Sequence, residues 1–93
     1  MKIEYNDILY NTETAKKLGE WHNDADKDST YYCEETLYLR RGQRHYFLYG
    51  RGGSTSKYAT ETKNGWVGGE AIVPITEYGA KMWYARKMKG ELK

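Results

Sequence analysis

Residues 31–53, YYCEETLYLRRGQRHYFLYGRGG, contain two β-patterned runs that face each other across one short turn, and no other stretch limits the fold as tightly. Residues 31–41 and 44–51 are rich in aromatic and β-favouring side chains, and Gly42-Gln43 between them suits a type II′ connection. A two-residue turn fixes the register. It sets Leu39 opposite Tyr46, Leu37 opposite Leu48, Tyr38 opposite Phe47, Thr36 opposite Tyr49, Arg40 opposite His45 and Glu34 opposite Arg51. Because side chains alternate across a strand, Cys33, Leu37, Leu39, Tyr46 and Leu48 share one face, and Thr36, Tyr38, Phe47 and Tyr49 share the other. An isolated hairpin is marginal in water, so further strands and a covering element are expected.

The chain has 93 residues, enough for one domain (1–93) around one modest core. Hydrophobic residues at 39% and charged residues at 30% give a globular balance, and no apolar run approaches the roughly 20 residues of a membrane helix. Residues 1–5, MKIEY, lack a signal-peptide core, and one cysteine cannot form an internal disulfide, so a cytoplasmic setting is expected. A net charge of +2 permits a nucleic-acid partner without demanding one. Ten tyrosines against one phenylalanine point to half-exposed aromatic surfaces. That preference fits a recognition face and a thin core equally well.

Along the chain, Asn6-Asp7 breaks two short apolar runs, and residues 15–21 suit a strand or a short irregular helix, with an N-terminal hairpin adding to the central one. Residues 23–30, NDADKDST, form an acidic loop. Its aspartates alternate like the opening of an EF-hand loop, but Ser29 stands where glycine is required and flanking helices are missing, so no metal is expected. Residues 52–63 read as a Gly/Ser/Thr loop around Tyr58; Lys57 there does not complete a phosphate-binding motif. Trp66, set among glycines, is expected to cap a small core. In residues 70–75, EAIVPI, Pro74 ends a strand or marks an edge. Thr76 is a good N-cap and Glu77 suits the helix start, while Arg86, Lys87 and Lys89 suit its end and Gly90 its stop. The expected packing stripe is Gly79, Met82, Trp83 and Arg86, with Lys81, Tyr84 and Ala85 opposite.

These elements give an α+β fold: an antiparallel β-meander of about four to six strands with one C-terminal helix packed on one face. The other face would expose Thr36, Tyr38, Phe47 and Tyr49, bordered by Arg40, His45 and Arg51, unless the N-terminal hairpin folds over it. His22 and His45 have no motif neighbours, and Cys33 lies within a strand, where it reads as a small core residue. No enzyme, cofactor or catalytic set is therefore expected.

The strings from Glu35-Thr36-Leu37-Tyr38 through Tyr46-Phe47-Leu48-Tyr49-Gly50, Gly52-Gly53, Ser56-Lys57-Tyr58-Ala59, Asn64-Gly65-Trp66, Gly69-Glu70 and Pro74-Ile75-Thr76-Glu77, with Ala80 and Trp83, resemble a family of small proteins carried by bacterial phages and mobile elements. The resemblance implies a counter-defence role of the anti-CRISPR type and brings no catalytic residues with it. The expected function is a non-enzymatic protein that binds a host defence protein, such as a nuclease, with tyrosine anchors and an acidic loop imitating phosphates. The alternative is a nucleic-acid-binding module like integrase N-terminal domains, which lay a sheet in the major groove. Across both readings the candidate binding residues are Tyr38, Arg40, Arg41, Arg44, His45, Phe47, Tyr49 and Arg51.

Overall fold

The computed structural model describes residues 1–42 and 44–92. Among them run β1 (Lys2–Tyr5), β2 (Ile8–Asn11), β3 (Lys16–His22), β4 (Cys33–Leu39), β5 (Tyr46–Gly52), β6 (Thr60–Thr62), β7 (Gly65–Val67), β8 (Gly69–Ile75) and α1 (Glu77–Lys87). The main sheet is antiparallel, in the order β3-β4-β5-β8, and β1-β2 and β6-β7 are separate two-stranded ribbons. The fold is α+β, with the helix on the sheet as the sequence pattern requires.

The central hairpin pairs Leu39 with Tyr46, Leu37 with Leu48 and Glu34 with Arg51, the register expected from its short turn. Gly42 has φ +78°, the sign needed at the first central position of a type II′ turn. Gln43, the other residue assigned to that turn, lies outside the described residues. At the N-terminus, Asn6 (φ 51°) and Asp7 (φ 64°) both adopt the left-handed region, which these two residue types tolerate and a tight hairpin turn of primed type requires. The stretch read as a strand or a short irregular helix settles as strand β3, Lys16–His22. Its Gly19 leaves room for the helix end: a Cβ there would sit 3.0 Å from the Met88 sulfur. Pro74 pairs with Phe47 on edge strand β8, where its missing N–H costs no ladder bond to a further strand.

Alternation along the strands divides the core in two. Leu37, Tyr46 and Leu48 pack under Ala80 and Trp83 of α1, with Leu18, Trp21, Leu39, Tyr84 and Met88 around them. On the opposite face Phe47 and Ile72 pack with Tyr10, and Ile3, Ile8, Ala15, Tyr38 and Tyr49 surround them. The N-terminal hairpin therefore folds over the aromatic face. Phe47 is 0% exposed, meets Tyr10 edge-on at 5.4 Å between centroids and stacks on Tyr38 at 5.2 Å.

The helix starts as expected, with the Thr76 hydroxyl accepting from the Gly79 N–H at 3.0 Å. Its buried stripe differs from the expected one. Ala80, Trp83, Tyr84 and Met88 face the sheet, whereas Met82 is exposed. The small Ala80, which is completely buried, sets the helix down close to the strands and so rotates Tyr84 inwards and Met82 outwards. Among the described residues no helix is long and apolar enough to cross a membrane.

Candidate functional site

Among the described residues the buried charged side chain is Glu35. It stands on β4 opposite Gly50 on the face that α1 covers, and it is 0% exposed. Its two oxygens are divided among three donors. Trp83 Nε1 donates to Oε1 at 3.0 Å, the Tyr58 hydroxyl donates to Oε2 at 2.5 Å, and Lys57 Nζ reaches Oε2 at 2.6 Å. Burial alone would push this carboxyl up; hydrogen bonds from Lys57, Tyr58 and Trp83 outweigh it and hold the carboxyl below the ordinary carboxylate range. Burial and the Glu35 charge together push the Tyr58 hydroxyl far up, so it stays a donor. Gly50 makes this possible. The Tyr58 ring lies over it, so close that a Cβ on Gly50 would sit 1.9 Å from Cζ.

Glu35 thereby anchors the segment that follows β5. Gly53 N–H donates to the Tyr32 carbonyl at 2.9 Å, and Thr55 donates through its N–H (3.0 Å) and hydroxyl (2.7 Å) to the Thr30 carbonyl. Ser56 closes the turn on itself, accepting from the Tyr58 N–H and donating to the Gly53 carbonyl at 2.8 Å. Among the described residues no buried side-chain N or O lacks a partner. On this fixed base stands β6-β7. Trp66 on β7 is 59% exposed and borders a shallow concavity of ≈ 380 Å³ with Ser54, Thr55, Ser56, Lys57 and Ala59. Tyr31, 70% exposed, adjoins the Thr30 carbonyl that Thr55 holds. Trp66 thus caps no core, contrary to the sequence expectation: a three-residue strand in a ribbon apart from the main sheet offers an indole nothing to pack against.

The residues singled out from sequence fall into three groups. Phe47 is core, and Tyr38 and Tyr49 are half-buried around it beneath the N-terminal hairpin, so the aromatic face is not an open surface. Arg51 pairs with Glu34 at 2.6 Å at the far end of the same strand pair. Arg40, Arg41 and Arg44 do gather at the hairpin tip. Arg40 Nε donates to the Leu9 carbonyl at 3.0 Å, Arg41 Nε to the Thr14 carbonyl at 2.8 Å, and Arg44 makes a two-point contact with Glu77 at 3.0 and 3.3 Å. His45 is half-buried, and its carbonyl accepts from the Arg40 N–H at 2.9 Å. Since both faces of the sheet are covered, the arginines are presented by the tip and not by an open sheet face.

Asp24, Asp26 and Asp28 are exposed, and among the described residues no group of three or more His, Cys, Asp or Glu is placed to hold a metal. Cys33 is half-buried; burial, then the neighbouring Glu35 charge, pushes its thiol up. Sequence reasoning missed Glu35, Tyr58 and Trp66. One signal was available for the first two: a single tyrosine in a Gly/Ser/Thr-rich loop, beside a lysine and following a strand that carries a glycine in its interior. Comparison of the chain with protein-family models, curated proteins and solved structures gives no match.

Proposed function

We propose that this chain is a small, non-enzymatic binding protein that docks on a protein partner through the end bearing Trp66 and Tyr31. The observation that carries this reading is Trp66, a large aromatic side chain 59% exposed on the β6-β7 ribbon, which follows the segment that Lys57 and Tyr58 tie to the buried Glu35. Exposed aromatics on a pre-ordered base are what interface anchors need, because little conformational freedom is lost when they are covered. The hydroxyl-lined concavity beside Trp66 supplies polar partners around that anchor. The non-catalytic part of the reading rests on two groups. The Cys33 thiol is pushed away from its reactive form, and the Glu35 carboxylate is committed to three donors. The resemblance to small phage and mobile-element proteins gives the partner's class, a cytoplasmic host defence protein such as a nuclease.

The test is capture from a bacterial lysate, with and without nuclease treatment, by the tagged protein, comparing wild type with Trp66→Ala, Tyr31→Ala and the triple change of Arg40, Arg41 and Arg44 to Ala. Removal of an anchor should weaken capture by about 2 kcal/mol or more at an unchanged melting temperature, while the arginine changes cost less. Capture that survives both aromatic changes, or that disappears when nucleic acid is digested, overturns the reading.

A further inference from the structure

The hairpin tip carries a feature that the partner-binding reading does not use. Lys16, Leu39, Arg40, Arg41, Gly42 and Arg44 line an open concavity of ≈ 390 Å³, so four cations line it, with the Glu77 carboxylate paired to Arg44 beside it. Surface arginines are ordinarily mobile, and their ordering opposes binding. Here Arg40 and Arg41 are oriented by Nε bonds to the Leu9 and Thr14 carbonyls, and Arg44 by the Glu77 carboxylate. Leu39, half-buried against the helix-side core, gives the concavity an apolar floor. Oriented guanidinium groups around such a floor match a phosphate attached to a sugar better than a bare ion. Arg41, Gly42 and Arg44 are exposed, which leaves room for a strand to pass across the tip.

From this arrangement we infer that the tip binds the phosphate of a nucleotide unit, held by Lys16, Arg41 and Arg44, with a nucleic-acid backbone as the ligand. Glu77 is the built-in competitor. It occupies two donors of Arg44 and is itself shared with Lys81 at 3.6 Å, so an incoming phosphate displaces a carboxylate that has a second partner to turn to.

Fluorescence anisotropy with a short labelled DNA duplex tests this on the whole chain. One neutralised phosphate should weaken binding about 3.5-fold between about 50 and about 200 mM salt. Lys16→Ala with Arg41→Ala should reduce affinity about tenfold or more at low salt and flatten the salt slope, and Arg41→Lys should recover part of both. Glu77→Gln should tighten binding several-fold, because it releases Arg44, whereas a merely structural Glu77 would leave affinity unchanged or lower it. Adenosine monophosphate that shifts the Gly42 amide resonance and displaces the duplex assigns the site to a free nucleotide as well as to a backbone. The inference is overturned if neither duplex nor nucleotide binds at low salt, or if the Lys16 and Arg41 changes leave binding untouched. Trp66→Ala should not alter this binding, which separates the outcome from that of the proposed protein interface.

Discussion

The two ends of this molecule handle charge in opposite ways. At one end a single carboxylate, Glu35, is wholly buried and satisfied by Trp83, Tyr58 and Lys57; at the other, Lys16, Arg40, Arg41 and Arg44 stand around an open concavity. Coulomb attraction is strong in the interior and weak in water, but removal from water also costs far more inside. A charge at the first end is therefore bound to the fold, and breaking its contacts should destabilise the protein. Lys16, Arg41 and Arg44 at the second end are exposed, where a charge contributes less to the fold and a ligand can reach it.

The sharpest way to break that contrast is to remove Glu35 or its indole donor. Glu35→Ala leaves Lys57, Tyr58 and Trp83 without their acceptor, and Trp83→Ala leaves a cavity and a half-satisfied carboxylate; each should cost about 3–5 kcal/mol in a denaturant melt. A loss below about 1 kcal/mol would mean that water replaces the lost partners and that this end is no more buried than the tip. Next in size is Gly50→Ala, whose Cβ must expel the Tyr58 ring. The expected loss is about 1–3 kcal/mol. Hydrogen exchange should show faster opening at Gly53 and Thr55 and unchanged protection at Leu37. Equal loss of protection at all three sites would show that the loop and sheet open as one unit.

Acid sharpens the comparison further. The Glu35 carboxyl lies lower in the folded chain than its ordinary value of 4.5, so its stabilisation is fully present above about pH 4.5 and is lost as pH falls through the folded value. Glu77, also lowered, by its hydrogen bond and charge contacts with Arg44, titrates in the same direction but stands on the surface. Wild type should therefore lose melting temperature on acidification, and Glu35→Gln should remove most of that dependence. Persistence of the full acid sensitivity in Glu35→Gln would assign it to other carboxylates. The smallest effect belongs to the tip. Arg44→Ala breaks an ion pair whose arginine is 73% exposed and should leave the melting temperature almost unchanged. A larger loss would make Arg44 a structural staple between hairpin and helix.

The chain by itself determined the local parts. Alternation and a two-residue turn set every pair in the central hairpin, Thr76 capped the helix, Pro74 marked a strand end or an edge and Asn6-Asp7 made a turn, because each rule acts within a few residues. Only the tertiary structure decided what lies over what. Tyrosine suits a core nearly as well as a surface, so the pattern of Tyr38, Phe47 and Tyr49 could not tell a recognition face from one roofed by Tyr10 and its hairpin. Nor could the order of residues show that Tyr58, 23 positions after Glu35, and Trp83, 48 positions after it, would meet on one carboxylate. That meeting depends on Gly50 clearing space for a ring and on Ala80 letting the helix settle, and both are properties of packed distance rather than of sequence separation.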